Sequence, residues 1–119
     1  MEHQGLQVLN FKNITELTEW LAQHHTNSPG IWVRIFKAGS GERSVTFQEV
    51  LEAGLCFGWS ESLRHPMDEK SYLQKFTPRK TKSTASPRNL RLVERLDREG
   101  RMTPAGFEAL GMRKQDADS

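Results

Sequence analysis

The sequence predicts a single α+β domain, with a small antiparallel sheet of about three strands and four helices packed on it. Three observations lead to this prediction. The chain has 119 residues, the length of one ordinary domain. Helical periodicities are separated by a β-branched stretch and by a hairpin pattern. Its 35% hydrophobic and 27% charged residues are typical of a globular protein. We therefore expect one domain over residues 1–119, with flexible tails at residues 1–10 and 113–119.

The first elements are a helix and a strand. Asn13 followed three residues later by Glu16 predicts a helix start, and apolar residues at helical spacing carry the helix to about His25. Residues 28–30 have turn chemistry. In residues 31–36 the β-branched Ile31, Val33 and Ile35 then alternate with Trp32, Arg34 and Phe36, which predicts a strand.

A second helix and a hairpin follow. Thr46 and Glu49 have the spacing of a capping box, and the helix that they open ends at Gly58. Residues 59–64 and 71–76 flank a polar turn, so we expect them to pair as a hairpin that completes the antiparallel sheet.

The last third of the chain begins with a long loop. Residues 77–86 contain no large apolar side chain and predict a loop, which is longer than most connections in compact domains. Ser86 before Pro87 is the signature of a capped helix start, and this helix is expected to continue to about Glu99. Thr103, also followed by proline, begins a last short helix in the same way.

Several classes of protein are disfavoured by composition. The single cysteine, Cys56, forms no intramolecular disulfide and no multi-cysteine metal site. Residues 1–10 lack the basic start and the apolar stretch of a signal peptide, and the most apolar run, residues 30–36, is interrupted by Arg34. The histidines lack metal-ligand spacing. We expect a cytoplasmic protein with no membrane span, metal or cofactor.

Positive charge is concentrated in residues 75–101, which carry nine basic and three acidic side chains, whereas residues 1–74 have a net charge of −3. Four arginines in the predicted third helix recur at steps of three and four residues, and so form one stripe. These arginines are Arg88, Arg91, Arg95 and Arg98. The basic residues of the preceding loop are Arg79, Lys80 and Lys82. This arrangement favours a phosphate-backbone binder, and the alternative is a solvated face with ion pairs along the helix.

Asn89 lies on the apolar side of the same helix. A buried amide needs partners, because leaving one unpaired costs about 1–3 kcal/mol. In one interpretation Asn89 and Ser86 brace the basic loop by capping it. In the other, Arg79 or Lys80 and the backbone N–H groups of the helix start bind a small anion. The two interpretations are compatible.

Trp59 and Glu61 follow the end of the second helix. Core packing is the ordinary role of a tryptophan, but Trp59 could also form the floor of a pocket with Glu61, Arg79 and Asn89. Cys56 has apolar neighbours on both sides, which favours a buried thiol over a nucleophile. The sequence contains no triad or carboxylate pair with a credible geometry, so no catalytic residue is predicted.

Four linked motifs run from about Phe11 to Phe107. They are Leu17-x-x-Trp20-Leu21, Leu55-Cys56-Phe57-Gly58-Trp59, Phe76-Thr77-Pro78-Arg79-Lys80 with Ser83, Ser86 and Asn89, and Gly100-Arg101-Met102 with Gly106. In this order they resemble the bacterial YdeI/OmpD-associated, or bacteriocin-protection, proteins. The resemblance implies a compact bacterial α+β domain in a stress or antimicrobial-protection context, without an established reaction. The chain reads Gly58-Trp59-Ser60-Glu61 where that family tends to read Gly-Trp-Ile-Asp, and Ser83-Thr84-Ala85-Ser86 where it tends to read Ser-x-Trp-Ser.

The sequence thus predicts a cytoplasmic binding module for an anionic ligand, either a phosphate-containing small molecule or nucleic acid. The candidate binding residues are Arg79, Lys80, Lys82, Ser83, Ser86, Asn89, Arg88, Arg91, Arg95, Trp59 and Glu61. The alternatives are a small-molecule enzyme built around the Trp59 pocket and a domain that binds a protein partner.

Overall fold

The computed structural model describes residues 1–80 and 86–112, and within them it confirms the predicted α+β class. Four helices lie in these residues: α1 (Ile14–His24), α2 (Phe47–Phe57), α3 (Pro87–Arg98) and α4 (Pro104–Ala109). The strands are β1 (Glu2–His3), β2 (Leu6–Leu9), β3 (Ile31–Phe36), β4 (Trp59–Pro66) and β5 (Ser71–Pro78). No helix in the described residues is both long enough and apolar enough to cross a membrane.

The sheet has five strands in the order β1-β2-β3-β5-β4, so the prediction of about three strands is too low. It is also mixed rather than wholly antiparallel, because β2 runs parallel to β3 and α1 is the crossover between them. The additional strands come from residues 1–10, which were expected to be a flexible tail. Parallel strands are joined by a long crossover, so their pairing leaves no local turn signal in the sequence. The other expected tail, residues 113–119, lies outside the described residues.

Side-chain caps fix the helix starts where the sequence predicts them. Asn13 Oδ1 accepts a hydrogen bond of 3.0 Å from the backbone N–H of Glu16. Thr46 and Glu49 form both bonds of a capping box, at 3.1 and 2.9 Å. The end of α2 is fixed by Gly58, whose φ of 77° lies in the left-handed region that favours glycine. These caps determine where α2 ends and β4 begins.

The main core lies between the sheet and the helices. Alternate residues of β3, namely Ile31, Val33 and Ile35, pack into it, as do Leu17 and Leu21 of α1. This division follows from the pleat of a strand, which directs successive side chains to opposite faces.

An aromatic cluster covers the opposite face of the sheet. We call it the outer-face cluster, and it consists of His3, Trp32, His65 and Lys75. Trp32 is only 2% exposed, and its Nε1 donates a hydrogen bond of 2.9 Å to the carbonyl oxygen of His3. The His3 ring centroid lies 4.9 Å from that of Trp32 and 4.3 Å from that of His65. Lys75 Nζ lies 6.0 Å from the Trp32 ring centroid. The histidines of the two edge strands, β1 and β4, therefore meet over Trp32.

Candidate anion-binding site

The site is built where the end of β5 lies against the end of α2. The backbone N–H of Arg79 donates a hydrogen bond of 2.9 Å to the carbonyl oxygen of Gly58. Gly58 is also in close contact with α4, since a Cβ at this position would lie 2.8 Å from the carbonyl oxygen of Ala105 and 2.9 Å from the Cβ of Ala109. Three elements thus converge on Gly58, and the backbone of Arg79 is fixed beside it.

Residues 78–80 line a pocket of about 300 Å³, which we call the ring pocket. It is lined by His25 and by the buried Phe57 and Trp59, and α4 contributes Ala105 and Ala109. The carboxylate-bearing Glu108 also lines it. The ring pocket therefore combines an aromatic wall with a few polar groups, as small-molecule sites commonly do.

The same three residues also line an open groove of about 550 Å³, which we call the basic groove. Lys75, Arg79 and Lys80 line it together with the hydroxyl-bearing Ser62 and Thr77, and among the described residues no acidic side chain lines it. The three cations face a common space, so the groove has a positive electrostatic potential.

Arg79 lines both the ring pocket and the basic groove. Its Nε is buried and has no hydrogen-bond partner among the described residues. An unpartnered buried donor is rare in native structures, and leaving one costs about 1–3 kcal/mol, or more for a charged group. Its guanidinium also forms no ion pair within the described ranges, whereas Arg34 binds Asp68 at 2.7 Å. Arg79 therefore carries an unpaired charge at a residue that lines both spaces.

The arginine stripe of α3 is partly occupied by internal ion pairs. Arg95 contacts Glu52 of α2 at 2.8 Å and Glu99 at 3.8 Å, and Arg101 contacts Glu52 at 3.2 Å. Burial raises the pKa of Glu52, but hydrogen bonds from Gln48, Arg95 and Arg101 and the charge of Arg95 together hold it below its usual value. Arg95 therefore fastens α3 to α2, which does not fit its predicted role as a phosphate contact.

The remaining arginines of the stripe are exposed. Arg88, Arg91 and Arg98 form no ion pair within residues 1–80 and 86–112. Neither the ring pocket nor the basic groove includes a residue of α3. The structure thus places these arginines on a surface separate from the two spaces that Arg79 lines.

The capping prediction for α3 is confirmed at Ser86, whose Oγ accepts a hydrogen bond of 3.2 Å from the backbone N–H of Asn89. The side chain of Asn89 is half-buried, between the buried position that the helical periodicity predicts and open solvent. The predicted contacts of Lys82 and Ser83 lie outside the described residues.

The four residues considered for an enzyme site are only partly brought together. Trp59 and Arg79 share the ring pocket, but Glu61 and Asn89 do not line it. Trp59 is 1% exposed and its Nε1 donates to the carbonyl oxygen of His25 at 3.3 Å, so it serves the core as well as the pocket floor. Within the described residues no three His, Cys, Asp or Glu side chains are grouped so as to hold a metal ion.

Cys56 is buried, as the sequence indicates. Burial raises the pKa of its thiol to about 11, and the positive charge of Arg101 offsets this only in part. Its carbonyl oxygen accepts hydrogen bonds from the backbone and the hydroxyl of Thr103. Cys56 therefore connects α2 to the start of α4, and its thiol is not activated as a nucleophile.

Sequence reasoning missed Lys75 and every ring-pocket residue other than Trp59, Arg79 and Lys80. Lys75, Thr77 and Arg79 recur at every second position, and this alternation could have placed them on one side of an extended segment. No comparable signal exists for His25, Ala105 and Ala109, because they come from α4 and the end of α1 and meet only in the folded chain.

The fold and this site define a small α+β domain with a pocket, a basic groove and an unpaired arginine between them. Over residues 9–109 the chain matches the family model described as Domain of unknown function (DUF8412), and it belongs to that family. The assignment to the YdeI/OmpD-associated proteins is therefore wrong, and the protective context that it implied has no support. No curated protein and no solved structure matches this chain.

Proposed function

We propose that this domain is a cytoplasmic module that binds an anionic, phosphate-bearing ligand in the basic groove, with Arg79 as the principal contact. The observation that carries the proposal is the buried Nε of Arg79, which has no partner among the described residues. A phosphate oxygen would supply the missing acceptor. A guanidinium is suited to this role because it can donate two parallel hydrogen bonds to one phosphate.

The surroundings of Arg79 support the same ligand. Lys75 and Lys80 add two positive charges, and within residues 1–80 and 86–112 no carboxylate lines the groove to neutralise them. Arg79 is also partly withdrawn from solvent, where a charge interacts more strongly with an anion than it does in bulk water. The buried thiol of Cys56 suits the reducing conditions of the cytoplasm.

The test compares Arg79→Gln with the charge-matched control Arg91→Gln in titrations with inorganic phosphate and pyrophosphate. We expect Arg79→Gln to weaken binding at least tenfold and Arg91→Gln to leave it unchanged, because Arg91 lies outside the groove. Arg79→Lys should restore part of the affinity, since it keeps the charge but not the planar fork. If the wild-type protein binds neither anion at about millimolar concentration, near −4 kcal/mol, the proposal is wrong for small anions.

A nucleic-acid partner is the second candidate, and the exposed Arg88 and Arg91 of α3 favour it. Binding would then be dominated by counterion release, and its logarithm would fall steeply with the logarithm of salt concentration. Titrations of short labelled DNA and RNA at two salt concentrations test this candidate. If nucleic acid is the partner, both Arg79→Gln and Arg91→Gln should weaken binding. If the site binds a small anion, only Arg79→Gln should weaken it.

A further inference from the structure

We infer that the ligand is a phosphorylated molecule with a flat ring system, of the nucleoside monophosphate class. Its ring would occupy the ring pocket while Arg79 and Lys80 hold its phosphate. This inference rests on the proposed function, because it takes the phosphate contact at Arg79 as given and adds a second subsite.

The two spaces are adjacent and share three residues. Pro78, Arg79 and Lys80 line both the ring pocket and the basic groove. One small molecule that contacts this segment can therefore extend into both spaces. The shared segment is held in place by the hydrogen bond from the backbone N–H of Arg79 to Gly58, so the two subsites have a fixed relation to each other.

The walls of the ring pocket suit a flat, apolar body. The rings of His25 and Phe57 lie 5.3 Å apart at an interplanar angle of 58°, and Trp59 is held by its hydrogen bond to His25. His25 is the most exposed of the three, and its ring is available for stacked or edge-on contact with another ring. The volume of about 300 Å³ is at the lower end of the range of roughly 300–1,000 Å³ found for ligand pockets, which favours one ring system over a larger cofactor.

Apart from Arg79 and Lys80, the polar side chains that line the pocket can act as acceptors. His25 Nδ1 lies 2.8 Å from the carbonyl oxygen of Leu21. A carbonyl can only accept, so Nδ1 carries the hydrogen and the neutral ring has its acceptor at Nε2. Glu108 adds an exposed carboxylate to the lining. Acceptors at this end of the site call for a ligand whose ring bears amino or hydroxyl donors, as a nucleoside does.

The experiment measures the dissociation constants of adenosine monophosphate, adenosine and inorganic phosphate by titration calorimetry. We expect adenosine monophosphate to bind at least tenfold more tightly than either fragment, because only it fills both subsites. Arg79→Gln should weaken the binding of both inorganic phosphate and the nucleotide at least tenfold. A short oligonucleotide with a terminal phosphate, compared with the same strand without it, distinguishes a free nucleotide from the end of a nucleic acid.

A variant that fills the ring pocket separates this inference from the proposed function. Ala109→Leu should remove the tenfold advantage of the nucleotide and leave the affinity for inorganic phosphate unchanged. The matched control Ala38→Leu, in the exposed loop after β3, should change neither. If the nucleotide binds no more tightly than phosphate while phosphate binding depends on Arg79, the ring subsite is wrong and the proposed function stands. If no phosphate-bearing probe binds, both are wrong.

Direct observation of the bound nucleotide makes the test independent of how well Ala109→Leu folds. Saturation-transfer NMR on the wild-type protein should show more saturation on the base protons of the nucleotide than on its ribose protons. A uniform distribution over the nucleotide would show that its base does not enter the ring pocket, and the inference would be abandoned.

Discussion

Gly58 offers the sharpest test of how the site is assembled, through the substitution Gly58→Ala. Its φ of 77° is left-handed, and a non-glycine residue pays about 1–2 kcal/mol for that conformation. The added Cβ would also lie 2.8 Å from the carbonyl oxygen of Ala105 and 2.9 Å from the Cβ of Ala109. Relieving such overpacking by moving α4 costs about a further 1–3 kcal/mol. The expected loss is about 2–5 kcal/mol, out of the roughly 5–15 kcal/mol that stabilise a typical domain.

The matched control is Gly100→Ala. Gly100 has a similar φ of 73°, but a Cβ there would meet nothing within 4 Å. It should cost only the conformational part, about 1–2 kcal/mol. Both variants lower the entropy of the unfolded chain equally, so this effect cancels in the comparison. Urea unfolding of the three proteins gives the difference, which is the cost of displacing α4. If the two variants lose the same stability within about 0.5 kcal/mol, α4 is not seated on Gly58.

Three further predictions follow from the ion pairs and the buried thiol. Glu52→Gln should cost about 1–3 kcal/mol at neutral pH. Because the pKa of Glu52 is lowered, this stabilisation is complete above the ordinary glutamate pKa and is lost as the pH falls through the folded-state pKa. If urea unfolding shows that Glu52→Gln costs the same stability at every pH, the ion pairs of Glu52 do not stabilise the fold. Cys56, with a pKa raised to about 11 by burial, should react with a thiol reagent only after unfolding, and rapid labelling of the folded protein would refute its placement. If nucleic acid binds, Arg91→Gln should reduce the slope of log affinity against log salt concentration by about one. Arg95→Gln should instead lower the stability of the fold, because Arg95 pairs with Glu52. Equal changes in slope for the two variants would show that the Arg95 ion pair does not form in solution.

The helices were predictable because their signals are local. The caps at Asn13, Thr46 and Ser86 and the stop at Gly58 each depend on residues within a few positions of one another, and the structure shows all four. Residues 31–36 were recognisable as a strand for the same reason, since alternation is visible in a short window.

The missed features depend on residues that are distant in sequence. The pairing of β2 with β3 spans the whole of α1, and the four residues Leu6–Leu9 are too few to reveal a periodicity. Spacing along α3 indicates ion pairs within that helix, and Arg95 does contact Glu99 at 3.8 Å. Its shorter contact, at 2.8 Å, goes to Glu52 of another helix. The Arg79 site was found in part, because its charge stands out in a loop, whereas the rings that face it come from three different elements.

The outer-face cluster has a practical consequence for anyone who expresses this protein. The carbonyl oxygen of Met1 accepts a hydrogen bond of 2.8 Å from the backbone N–H of Val8, and two residues further on His3 covers Trp32. An affinity tag fused to Met1 would begin beside this cluster and compete for the space that His3 and His65 fill. The fluorescence of the buried Trp32 indole can therefore report whether the first strand is docked.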